Sequence, residues 1–193
     1  MLPTAFVDVP VPNRRLVAYW CVPMVPCFLW PRSAWELCPG PPRRNGSQLF
    51  MAFVSVTRLH IRSVRYFPQF MLYALRSARQ VRRSAGFLGG RLVRDTSQAF
   101  WTVTVWEDAM AMDAYRTTGA HRAAMPKLLN WCDEASVAHW TQDSNAVPNW
   151  EEAHHHMITG GRPSKVNRPS AAQDRHDIPA LKPTPFAMEI RPR

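Results

Sequence analysis

Lysine is nearly missing from this 193-residue chain: three lysines (Lys127, Lys165, Lys182) stand beside 21 arginines, within a formal net charge of +10. A basic excess made almost wholly of arginine is explained most simply by a GC-rich coding bias. The chain also lacks helix-turn-helix, RNA-recognition and zinc-finger patterns, so a basic nucleic-acid-binding protein is an alternative reading only, and no nucleic-acid partner is expected. Cysteine is scarce, with four residues, of which Cys21, Cys27 and Cys38 lie near the start and Cys132 stands alone. That excludes a disulfide-stapled small fold, matches no metal knuckle, and suits a reduced, cytoplasmic setting. The apolar run Leu16–Trp30 is interrupted by Pro23 and Pro26 and falls short of the roughly 20 residues a membrane span needs, so no stable membrane insertion is expected. No Ser-His-Asp set, carboxylate pair or CxxC motif stands out, which leaves hydrolase and thiol-redox chemistry without support.

Proline is sparse where structure is to be expected. Residues 1–50 hold nine prolines, 51–142 hold two and 143–193 hold seven. Because proline removes a backbone donor and breaks helices and central strands, the folded domain is placed at 51–142. Residues 1–50 read as a proline-rich arm, with three readings open: a stretch ahead of a true start at Met51, a cleaved or membrane-associated leader, or a genuine disordered arm. Residues 143–193 read as a C-terminal extension with a short helix, Trp150 to Ile158, and a proline-rich tail.

Within the domain, Phe53–Ile61 is β-branched and partly alternating, as a half-buried strand should be. From Pro68, apolar residues recur at three- and four-residue steps to Val81, and Arg76, Arg79, Arg82 and Arg83 fill the other face, which predicts an amphipathic helix ended by Gly86. Strands follow at Phe87–Arg94 and Ala99–Trp106, then a helix after Glu107-Asp108 that stops near Gly119, a second helical piece from His121 to Cys132, and a strand at Glu134–Gln142. The order β-α-β-β-α-β, with the second helix broken, is the α+β ferredoxin-like split βαβ sandwich. Its helices cover one face of the sheet, and self-association is the simplest cover for the other.

The runs GFLGGRLVRD (Gly86–Asp95), AFWTVTVWEDAMAMDAY (Ala99–Tyr115) and TTGAHRAAMPKL (Thr117–Leu128) resemble the dimeric α/β-barrel superfamily, and within it the antibiotic-biosynthesis-monooxygenase-like proteins. The resemblance implies a homodimeric α/β barrel, a small-molecule cavity between sheet and helices in each protomer, and monooxygenase-like handling of an aromatic or apolar substrate, with no cofactor predicted. The superfamily also holds heme-binding members, so heme is possible by resemblance, as is a non-catalytic carrier of a small molecule or heme. The positions of the heme-degrading pattern fall on Thr57, Tyr115 and Met125, none of which matches it.

Candidate site residues follow from residue chemistry and that resemblance together. His121, after Gly119-Ala120 at a helix start, can face a cavity and titrate near neutrality, and Arg122 beside it can hold an anionic or phenolic oxygen; these two are the catalytic candidates. Thr57, Trp101, Trp106 and Tyr115 are the substrate-binding candidates, although Trp101 and Trp106, five residues apart on one strand, point to opposite faces. His60 and His139 could line the cavity or an interface. His154-His155-His156 cannot converge on one ion, because successive helical residues point about 100° apart, and no metal site is predicted.

Overall fold

The computed structural model describes residues 51–193, so the readings for residues 1–50 lie outside the described residues. Strand β1 (Ala52–Ile61) is followed by a 3-10 turn and helix α1 (Phe67–Val81), then β2 (Phe87–Asp95), β3 (Ala99–Trp106), α2 (Ala109–Arg116), α3 (Gly119–Trp131) and β4 (Cys132–Gln142). The fold is α+β and ferredoxin-like, as the periodicity predicts.

Local chemistry sets the boundaries. Pro68 sits in the first turn of α1, and the chain turns at Gly86 with φ of +73°, a left-handed conformation that costs glycine little. A side chain there would also meet Ala111, since a Cβ would lie 2.6 Å from that methyl group. Asp108 caps α2 by accepting from the Ala111 amide at 2.7 Å. Gly90 follows the irregular pairing between Phe87 and Gly89, and a Cβ there would stand 2.6 Å from the Val103 carbonyl oxygen.

Residues 143–193 add further helices and strands that pack onto the domain. Helix α4 (Trp150–Gly160) is capped by Asn149, strand β5 (Arg162–Pro163) pairs with β4, and after α5 (Ala171–Arg175) strand β6 (Pro183–Ile190) pairs antiparallel with β2. The sheet therefore has six strands in the order β5-β4-β1-β3-β2-β6. The proline-rich tail of the sequence reading is in part this edge strand. Pro183 and Pro185 are tolerated because an edge strand needs donors toward one neighbour only.

Alternation divides the sheet into two faces. Thr57 lies in register with Thr102 on one side and Val137 on the other, a row that faces α1, α2 and α3. Val54, Val56, Trp101, Val103, Val105 and Ala138 point the opposite way and are buried. The cover on that second face corrects the expectation from sequence. Ala153 and Met157 of α4 are fully buried against it, with Trp150, Ile178 and Leu181 packed around them. The chain's own C-terminal segment takes the place assigned to a second copy, because burying each large apolar side chain gains about 1.5–3 kcal/mol whichever chain supplies it.

Candidate functional site

A cavity of about 470 Å³ lies between the first face of the sheet and helices α1 to α3, within the range of small-molecule sites. The sheet contributes a row of hydroxyls, Ser55, Thr57, Thr102 and Thr104, while the helices contribute apolar and aromatic groups such as Phe70, Leu128 and Trp131. Strand pleat explains the hydroxyls: odd positions of β1 and even positions of β3 share this face.

Four of the six candidates from sequence meet here. Thr57, Trp106, Tyr115 and His121 all line the cavity. The Trp106 and Tyr115 rings lie 5.2 Å apart, and the Tyr115 and His121 rings 4.7 Å apart, so the three form a continuous aromatic wall. Trp106 is fully buried and its indole Nε1 has no hydrogen-bond partner among the described residues. A buried donor left unpaired costs about 1–3 kcal/mol, and an acceptor on a ligand would offset it.

His121 is held from α2 and from α1. Its Nδ1 lies 3.2 Å from the Arg116 carbonyl oxygen, which can only accept, so Nδ1 carries the hydrogen and Nε2 keeps a free lone pair. The His121 amide donates to Gln80 Oε1 at 3.1 Å, and Gln80 Nε2 donates to the carbonyls of Tyr115 and Thr118. Gln80 thus fixes the junction of α2 and α3, a role hidden in the sequence because Gln80 reads there as one more polar residue of an amphipathic helix. Burial lowers the His121 pKa below the usual imidazole value, and the Arg116 charge adds to that against the hydrogen bond. Burial likewise pushes the Tyr115 phenol far above its ordinary value, so it keeps its proton and donates toward the Ser77 carbonyl at 3.4 Å.

The remaining two candidates lie elsewhere. Trp101 is on the second face, fully buried, with its indole Nε1 bonded to Asp95 at 3.0 Å, as the five-residue spacing from Trp106 requires. Arg122 is exposed on α3 and is not part of the cavity wall. Three cations do reach the cavity: Arg116, and Arg162 and Lys165 from the C-terminal extension. Sequence reasoning missed the last two because nothing local signals that a proline-rich segment folds back onto β4.

Other histidines and the cysteine resolve simply. His139 lines the cavity, and burial, then Arg162 and Arg116, keep it below the usual imidazole range. His60 bonds Asp133 at 2.6 Å on the far face. In α4 the rings diverge: His156 stacks on Trp140 at 3.9 Å, while His154 tilts toward Trp101. Cys132 is buried, and burial together with Asp133 pushes its thiol up to about 12, too high for a nucleophile. Among the described residues no group of three or more His, Cys, Asp or Glu side chains is placed to hold a metal ion, and no helix is long and apolar enough to cross a membrane. Thr57, Tyr115 and Met125 all line the cavity but offer a hydroxyl, a protonated phenol and a thioether, so heme iron held by the heme-degrading pattern does not fit these positions.

No curated protein matches the sequence. Among solved structures, a conserved protein from Methanosarcina mazei Go1 aligns at 14% identity over 48% of this chain and 94% of its own, with a TM-score of 0.43. A point mutant of SnoaB, a cofactor-independent oxygenase from Streptomyces nogalater, aligns at 17% identity over 51% of this chain and 98% of its own, with a TM-score of 0.42. A protein from Pseudomonas aeruginosa, PA3566, aligns at 12% identity over 48% and 94%, also with a TM-score of 0.42. The stretch from α1 into α3, residues 68–127, which carries Trp106, Tyr115 and His121, matches the family model described as antibiotic biosynthesis monooxygenase, and this bears out the resemblance read from the sequence.

Proposed function

We propose that this protein binds a planar aromatic molecule in the cavity between sheet and helices and oxygenates it, with His121 as the general base. The observation that carries the reading is the arrangement of His121: its Nε2 lone pair is free, its pKa is lowered by burial, and its ring continues the wall formed by Trp106 and Tyr115. The antibiotic biosynthesis monooxygenase match over residues 68–127 supports oxygenation as the reaction class.

The chemistry suited to such a wall is oxidation of an activated CH2 between aromatic rings. His121 Nε2 removes one C–H proton, and the resulting carbanion is delocalised over the rings that the wall holds flat. Dioxygen takes the electrons from the substrate itself, one oxygen atom ends as the new C=O and the other leaves as water, so that CH2 and O2 become C=O and H2O without an outside reductant.

A homodimer of the kind implied by the resemblance requires either that α4 leave the face it covers or that another surface be used. The test of the reading is oxygen uptake with anthrone as the probe. Wild-type protein should consume about one O2 per anthrone converted to the quinone, and His121→Ala should lower kcat by about 10²–10⁴-fold, the usual contribution of a positioned base. Uptake no faster than in buffer, or unchanged in His121→Ala, would overturn it.

A further inference from the structure

The cavity wall contains no aspartate or glutamate, although it is lined by two arginines and a lysine. Arg116 is partly neutralised by Asp113. Arg162 and Lys165 have no ion-pair partner among the described residues. Both come from a segment that pairs with β4 and lines the cavity beside it. Arg162 pairs with Val137 of β4, the Ser164 amide donates to the Ala135 carbonyl at 2.8 Å, and the Asn167 amide donates to the Leu129 carbonyl at 2.8 Å. Buried Gln173 locks the strap by donating to the carbonyls of Ala135 and Ser164 and accepting from the Ala135 amide. His139, two residues along β4 from Val137, is close enough to both Arg162 and Arg116 to feel their charge. Arg162 and Lys165 are therefore carried by a segment that backbone pairing fixes against the wall of a largely apolar and hydroxyl-lined chamber.

We propose that the substrate is an aromatic carboxylic acid, its rings against Trp106, Tyr115 and Trp131 and its carboxylate held by Arg162 and Lys165. At neutral pH a carboxyl group is ionised without assistance, whereas a phenol near pKa ~10 is not, so a fixed pair of cations selects the carboxylate. The C-terminal extension then has a second role besides covering the sheet: it supplies the specificity of a cavity whose aromatic wall belongs to the family-matched region. This inference rests on the cavity being the ligand site. It moves the anion-holding role that the sequence suggested for Arg122 to Arg162 and Lys165.

Two probes of equal shape separate the claims: 2-naphthoate and its neutral isostere 2-naphthamide, titrated against the full chain by calorimetry at low ionic strength. Two cations on one cavity wall predict that naphthoate binds about tenfold more tightly, and that 0.5 M salt shrinks the difference. Arg162→Gln with Lys165→Gln should abolish the preference and leave naphthamide affinity unchanged, and Arg122→Gln should leave both unchanged. Because both altered side chains are exposed, unchanged thermal melting serves as the check that the double variant is folded. Equal affinity of the two probes for the wild-type chain, or a preference that survives the double variant, overturns the carboxylate inference and leaves the cavity reading standing. Binding of neither probe overturns both.

Discussion

Trp101 donates its indole hydrogen to Asp95 across 3.0 Å, inside a fully buried pocket on the face of the sheet that the cavity does not touch. Asp95 also accepts from Ser97 Oγ at 2.6 Å and from the Ala99 amide at 2.9 Å, so this carboxylate ties the β2–β3 turn to the core beneath α4. Trp101→Phe removes one of three donors to a buried carboxyl group, and a loss of about 1–3 kcal/mol in unfolding free energy is expected. Probe binding should be unchanged. Trp106→Phe should do the reverse, weakening probe binding with a smaller loss of stability, since its indole N–H has no partner to lose. Urea melts and titrations on the two variants check the assignment of faces.

The two cavity histidines predict a pH dependence with a definite sign. Both His121 and His139 have folded-state values below the ordinary imidazole value. Between those values and about pH 6.5, the unfolded chain binds more protons than the folded one, so stability rises with pH across that window and is level above it. His121→Gln should flatten the slope of unfolding free energy against pH just below about 6.5, and the same change at His139 should flatten it further. Denaturant melts at half-unit pH steps supply the measurement; a slope unaffected by either change contradicts the burial of these rings.

Gln173 is nearly fully buried and makes three hydrogen bonds that fasten the 162–175 strap to β4. Gln173→Ala leaves the Ala135 amide and carbonyl without their side-chain partners. A loss of about 1–3 kcal/mol is expected for such unpaired buried groups. Amide exchange should accelerate over residues 162–170 more than over β1 or β3, which are anchored on both sides by neighbouring strands.

Removal of residues 143–193 uncovers Val54, Val56, Trp101, Val103 and Val105 together. A chain ending at Gln142 should bind a hydrophobic dye strongly and self-associate, because a contiguous apolar patch of that kind demands a partner. Light scattering on chains ending at residues 142 and 193 distinguishes this from a domain that stands on its own.

Much of the domain is legible in the sequence because its signals are local. The three-and-four step of Phe70, Ala74 and Val81 and the Asp108 cap depend on neighbours in sequence and stand where periodicity and turn chemistry place them, whereas α1 ends at Val81 with Arg82 as its cap and Gly86 instead turns the chain into β2. The separation of Trp101 from Trp106 by an odd number of residues is enough to put them on opposite faces. What cannot be read depends on long-range partners. Strand β6 is hidden by Pro183 and Pro185, and nothing near Arg162, Lys165 or Gln173 announces that β4 is their partner. The cover over the second face reads from sequence as another molecule because α4 is short and weakly amphipathic, yet its Ala153 and Met157 suffice to fill the space.

The central claim is that the chamber between sheet and helices is the ligand site, and the indole N–H signals of the full chain test it most directly. In a two-dimensional 15N–1H spectrum, assigned by single Trp→Phe changes, addition of 2-naphthoate should shift the Trp106 and Trp131 signals. Those of Trp101 and Trp140, on the α4-covered face, should stay in place. Shifts confined to Trp101 and Trp140, or absent from Trp106 and Trp131 at saturating probe, would contradict the account.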